Sequence, residues 1–213
     1  EILDCTDIAV LSGRIAYCGP EARGCVGPNT TVFDADGRYL VPGLLDAHMH
    51  VESSLLTPHR FAEVVLPHGT TGVFIDPHEI ANVMGLNGVR WMVDAGGRIP
   101  LRMIVQVPSC VPAAPGLETT GGQIGPEEVA EALQWDGVIG LGEVMNYPGV
   151  IAGDTGLHRE IATVLRAGGI IGGHYASPDL GLRFHAYAAA GAADDHEGTR
   201  PEDVVTRVRQ GMA

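Results

Sequence analysis

The chain has 213 residues, 45% of them apolar, which is room and material for one large domain or two small ones and argues against a disordered tail or a small stapled peptide. All 13 basic residues are arginine and 26 residues are acidic, so the formal charge is −13, a balance that argues against nucleic acid or an anionic membrane as partner. The absence of lysine removes Schiff-base chemistry, a P-loop phosphate lysine and a carbamylated lysine bridging two metals.

The first 40 residues read as short strands, Asp7–Val10, Arg14–Tyr17 and Thr31–Asp34, separated by Ser12-Gly13 and a turn-rich stretch from Gly19 to Asn29. They predict part of a small N-terminal β domain, a β-sandwich leader over 1–40. From 41 to 213 the pattern changes to βα units around a parallel sheet. Strands are expected at 40–47, 70–76, 101–107, 137–143, 168–174 and 191–195. Helices are expected at 57–66, 79–95, 126–134, 156–167, 178–190 and 201–210, with Thr57-Pro58, Gly125-Pro126 and Arg200-Pro201 as N-terminal signals. Trp91, Trp135, Met84 and Met92 are expected in the core.

Cys5, Cys18, Cys25 and Cys110 form no C-x-x-C pair and no dense framework, which predicts a reducing, cytoplasmic setting without structural disulfides. No apolar run approaches the roughly 18 residues needed to span a bilayer. The 30 glycines are about twice the usual ~7%. Several, including Gly140, Gly142, Gly172 and Gly173, fall at strand ends, where tight βα turns and close backbone approach to a site both call for them.

The sharpest local signal is Val41-Pro42-Gly43-Leu44-Leu45-Asp46-Ala47-His48-Met49-His50, an apolar strand ending in two histidines at i and i+2. That spacing places both imidazoles on one face of the strand. Gly142-Glu143, Gly173-His174 and Asp195-His196 also close predicted strands, the end at which barrel enzymes place their reacting groups. His48, His50, His174 and His196 with a shared carboxylate from Glu143 suit a two-metal site, whose ions lie roughly 3.5 to 4 Å apart. Asp76, His78 and Glu79 end the second strand and are expected at the same site. His59, His68, His158 and His185 are expected in surface or packing roles.

The strand Pro42 to His50 resembles the first-strand signature of the amidohydrolase superfamily. Together with His50-Val51-Glu52-Ser53-Ser54, Leu66-Pro67-His68-Gly69-Thr70-Thr71, Asp76-Pro77-His78-Glu79-Ile80-Ala81-Asn82-Val83, Ser109-Cys110-Val111-Pro112-Ala113 and Gly142-Glu143-Val144-Met145-Asn146-Tyr147-Pro148-Gly149-Val150, it resembles the adenine deaminase family of that superfamily. The resemblance covers nearly the whole chain. It implies a metal-dependent TIM-like (β/α)8 barrel with a binuclear divalent centre, manganese or iron, with zinc also compatible, and hydrolytic deamination of adenine to hypoxanthine and ammonia. His48 and His50 would hold one ion, Glu143 would bridge, and His174 and His196 would hold the other. Glu79 and Glu52 would assist proton transfer, Ser109 and His78 would contact the purine, and Asp194 and Asp195 would orient imidazoles or face solvent. The family is expected to work as a homodimer, and its further aspartate, at the end of the eighth barrel strand, has no counterpart in this chain.

Rival readings are another amidohydrolase acting on a cyclic amide or an acylated amine, and, from a different class, a truncated barrel without turnover. A cytidine-type zinc deaminase is excluded, since it needs H-x-E followed by P-C-x-x-C. An eight-unit barrel takes roughly 250 residues, about 31 per unit. The 173 residues after the leader therefore make about 5.6 units, and the chain reads as an internal fragment truncated to about six βα units.

Overall fold

Ser12 and Gly13 both take left-handed φ values, 51° and 71°, the geometry that lets a two-residue loop follow the right-handed twist of its strands. In this computed structural model, which describes residues 2–3 and 6–213, they join β1 (Asp7–Leu11) to β2 (Arg14–Gly19) as an antiparallel hairpin. The hairpin belongs to the first of two units, Glu1–Pro42 and Gly43–Ala213. The third strand predicted for the leader, Thr31–Asp34, does not form, and Val32 and Phe33 are exposed. A strand needs a ladder partner and a layer to bury against, and the described residues of this unit supply only the β1–β2 pair. Cys5 lies outside the described residues.

The second unit is a parallel sheet whose five strands pair in chain order: β3 (Leu44–Met49), β4 (Thr70–Ile75), β5 (Arg102–Val107), β6 (Val138–Val144) and β7 (Ile170–Gly173). Parallel neighbours require crossovers, and helices supply them. After β3 comes α1 (Pro58–Val65), capped by the Thr57 side chain with Pro58 in its first turn. After β4 come α2 (His78–Met84) and α3 (Leu86–Gly96), after β5 comes α4 (Pro126–Ala132), and after β6 come α5 (Tyr147–Ala152) and α6 (Thr155–Arg166). Beyond β7 lie α7 (Leu182–Ala189) and α8 (Pro201–Arg209). Apolar side chains of β4, β5 and β6, among them Val73, Ile75, Val105, Val107 and Leu141, pack with Met92 of α3 and Val164 of α6 in one buried cluster. Among the described residues no helix is long and apolar enough to cross a membrane.

Four departures from the sequence expectations have local causes. The helix expected over 79–95 is two helices, because Gly85 takes φ 59° and ψ −143° and ends the first. Helix α5 was not expected; Asn146 caps it by accepting from Gly149 N at 2.9 Å, and Pro148 sits in its first turn. The strand expected at 191–195 is reduced to one bridge, Ile171 with Ala192. There the Asp194 and Asp195 side chains accept backbone N–H groups, which competes with a continuing ladder. Met92 is buried and Trp135 half-buried, but Met84, the last residue of α2, and Trp91 are exposed.

Candidate metal centre

All five strands run the same way, so their carboxyl ends lie together, and the site is built there. Glu143, 3% exposed, stands near the end of β6. Its amide hydrogen is accepted by Asp76 Oδ2 at 2.7 Å and its carbonyl accepts from Ser109 Oγ at 2.5 Å, so residues ending β4 and β5 fix the backbone that carries it. Gly142 makes this possible, since a Cβ there would stand 2.2 Å from Asp76 Oδ2.

Four imidazoles converge on a single oxygen of that carboxylate. Glu143 Oε1 lies 2.8 Å from His48 Nε2, 3.3 Å from His50 Nε2, 3.3 Å from His174 Nδ1 and 2.9 Å from His196 Nε2. His48 and His50 come from the end of β3, His174 directly follows β7, and His196 lies four residues after the Ala192 bridge. The ring nitrogens also face one another, 2.9 Å apart for His48 Nε2 and His50 Nε2 and 3.2 Å for His174 Nδ1 and His196 Nε2. The His48 and His196 rings stack, with centroids 3.9 Å apart. His50 Nδ1 lies 2.8 Å from the Asp76 carbonyl, to which only an N–H can bond, so Nδ1 carries hydrogen and Nε2 is left to face the site.

Charge follows from this packing. Burial pushes the Glu143 carboxyl toward its neutral form, but hydrogen bonds from His174, His196, His48 and His50 outweigh it and hold the group far below the usual carboxylate range. The hydrogen bond to Glu143 raises His50 to about 9 against the opposing effect of burial, and the same contact raises His174.

A second group of polar side chains flanks the first. His78 Nδ1 lies 3.4 Å from Glu143 Oε2 and 3.7 Å from Asp76 Oδ1. Glu79 Oε2 lies 3.6 Å from His50 Nδ1 and 3.8 Å from His78 Nε2, while its Oε1 accepts from Ser53 Oγ at 2.7 Å. Glu52 sits behind, its Oε1 accepting from Ile80 N at 3.2 Å in the first turn of α2, and burial raises its pKa. Glu52 Oε2, Asp76 Oδ1, His78 Nδ1 and Glu79 Oε2 are buried without a hydrogen-bond partner. Buried polar atoms are rarely left so, and four of them lie together here.

The fold thus gathers His48, His50, His78, Glu79, Glu143, His174 and His196, with Glu52 and Ser109 one step removed. Ser109 donates its hydroxyl hydrogen to the Glu143 carbonyl. Asp194 and Asp195, expected to orient imidazoles or face solvent, bond the backbone amides of Gly173, Tyr175 and Glu197 instead. Glu197, which closes the Asp194-Asp195-His196-Glu197 strand end but to which the sequence assigned no role, lies 3.6 Å from His196 Nε2 and 3.8 Å from His174 Nδ1. Of the remaining histidines, His59 pairs with Glu63 on the surface, His158 bonds the Val150 carbonyl, and His68 and His185 are exposed. Cys110 is buried.

Residues 39–208 match the model of the amidohydrolase family. The chain belongs to that family. This amidohydrolase is 60% identical over 212 residues to the adenine deaminases of Ruegeria sp. (strain TM1040) and Mesorhizobium japonicum, in each case over 100% of this chain and 35% of the relative. It is 54% identical over 206 residues to the adenine deaminase of Moorella thermoacetica, covering 97% of this chain and 34% of that protein. The amidohydrolase chain therefore spans about a third of the length of the curated relatives it matches.

Proposed function

We propose that this chain carries most of the metal centre of an enzyme that hydrolyses adenine to hypoxanthine and ammonia. The observation that carries the reading is the single Glu143 oxygen approached by four imidazole nitrogens at 2.8 to 3.3 Å. Neighbouring donors on an ion with bonds of roughly 2.0 to 2.2 Å stand about 3 to 3.4 Å apart. The spacing of these donors and their chemistry, imidazole and carboxylate, both fit divalent ions such as manganese, iron or zinc. The naming of 54–60% identical relatives as adenine deaminases supports adenine as substrate. We read the five strands and the Ala192 bridge as part of an eight-unit barrel.

His48 and His50 would hold one ion and His174 and His196 the other, with Glu143 shared between them. When bound, such a pair supplies the acidity that makes water a nucleophile near neutral pH. The chain's own groups do the rest. Glu143, kept ionised by its imidazole neighbours, contributes negative charge at the centre. Glu79, its carboxylate oriented by Ser53, would pass a proton between attacking water and the purine. Glu52 holds the start of α2 through Ile80 N and, with its raised pKa, can take up a proton from the Glu79 side. His78, between Asp76 and Glu79, can donate to a ring nitrogen or to the departing amine. Ser109 positions the Glu143 backbone through its hydroxyl, and from the end of β5 it would contact the purine.

The test uses the protein as its gene encodes it, purified, loaded with manganese and assayed for metal content by mass spectrometry and for adenine loss by ultraviolet absorbance. Two ions per chain with ammonia released from adenine is the expected result. Failure to retain metal overturns the centre, and retention of metal with no turnover of adenine, but turnover of a cyclic amide, overturns the substrate.

A further inference from the structure

The polar groups buried behind the candidate centre touch none of its imidazoles, yet they hold the backbone beside three of its proposed ligands. Asp195, whose side chain is fully buried, accepts from Tyr175 N at 3.1 Å through Oδ2 and from Glu197 N at 2.8 Å through Oδ1. Those amides belong to the residues directly after His174 and His196. Arg207, on α8 and 4% exposed, brings Nη2 to 3.4 Å from Asp195 Oδ2 and donates from the same nitrogen to the Tyr175 carbonyl at 3.2 Å. Its guanidinium lies over the Phe184 ring at 5.4 Å. On α7, the buried Tyr187 hydroxyl accepts from His174 N at 2.8 Å and donates to the Val144 carbonyl, next to Glu143, at 3.0 Å.

The sheet does not do this work. Ladder pairing stops at Gly173, and the chain that carries His196 has one bridge, at Ala192. Nothing in the ladder sets the height of His196 against His174, whereas the Asp195 carboxylate spans the two segments directly. A buried charge left without its partner is costly, which makes such a pair rigid. Ligand groups hold an ion well only when their supporting contacts fix them to within tenths of an ångström.

We propose that Asp195, Arg207 and Tyr187 are positioning residues that set the mutual placement of Glu143, His174 and His196, so that the last helix of the chain is coupled to the metal centre. This rests on the metal reading given above. The test measures Mn²⁺ affinity by the resonance signal of free Mn²⁺, and amide exchange in metal-free protein, for Tyr187→Phe, Asp195→Asn, Arg207→Met and Arg207→Lys. Tyr187→Phe and Asp195→Asn are expected to weaken Mn²⁺ binding about 10- to 100-fold, the range found when supporting contacts of metal ligands are lost. Arg207→Lys is expected to recover part of the loss seen in Arg207→Met, and the Tyr175 and Glu197 amides should exchange faster in Asp195→Asn. Variants that melt earlier but bind Mn²⁺ as the parent does overturn the proposal, because the trio then serves only the scaffold. Should Arg207→Met not fold, Tyr187→Phe, which removes one oxygen, decides it. A parent protein that binds no Mn²⁺ overturns the metal reading instead, and the clamp then stands or falls on exchange alone, unchanged rates in Asp195→Asn overturning it.

Discussion

Asp76 Oδ2 accepts the Glu143 amide hydrogen at 2.7 Å, joining two residues 67 positions apart and reaching from the end of β4 past β5 to β6. The contact needs a strand without a side chain at 142. Gly142→Ala would push a methyl group into the Asp76 carboxylate, 2.2 Å away, and overpacking of that kind costs about 1–3 kcal/mol. Thermal unfolding should show the loss, and metal content should fall with it because Glu143 moves.

Replacing Glu143 by glutamine keeps the shape and removes the charge on which four imidazoles converge. The expected outcome is a drop in bound manganese from two ions to one or fewer, together with at least a tenfold loss of adenine turnover. Metal analysis and an ammonia assay on the same preparation check it. Two retained ions with full activity would remove Glu143 from the shared position.

Glu160 sits on α6, 7% exposed, with Oε2 unpartnered. Burial first, then the Asp154 and Glu128 carboxylates, raises its pKa to about 8. The folded protein therefore keeps a proton that the unfolded chain releases near 4.5, so stability falls as pH rises between those values and levels off above about 8. The effect is on the order of a few kcal/mol. Glu160→Gln should flatten the dependence of melting temperature on pH, with its advantage over the parent growing from pH 5 to 8. Parallel curves would show that Glu160 does not titrate in this range.

Cys18 and Cys25 are exposed, whereas Cys110 is buried and its thiol is pushed well above the ordinary range by burial, with Asp76 and Glu143 adding to the effect. Brief treatment of folded protein with iodoacetamide should modify Cys18 and Cys25 and leave Cys110 intact, as read by peptide mass spectrometry. Labelling at Cys110 at a comparable rate would mean that the end of β5 opens in solution.

The hydrophobic grain and the turn residues determined the order of elements: strands β3 to β7 form close to where apolar runs end in glycine or polar loops, because pattern and capping are local properties of the chain. The His48-Met49-His50 pair was legible for the same reason, since a two-residue period fixes a shared face. Local signals failed where a side chain chose between partners that lie far off in sequence. Asp194 and Asp195 read as solvent or imidazole contacts, yet they bond the amides of Gly173, Tyr175 and Glu197 and end the sixth strand at a single bridge. Tyr187 and Arg207 carried no signal at all. The helical stretches around them show only an apolar face, and their polar atoms acquire meaning when α7 and α8 bring them against the end of β6 and the loop after β7. Residue types and strand ends determined which groups could meet at one end of the sheet. Which oxygen the four imidazoles share, and what holds them there, was decided by tertiary packing, because distances of 2.8 to 3.3 Å between segments up to 148 residues apart depend on every layer between them.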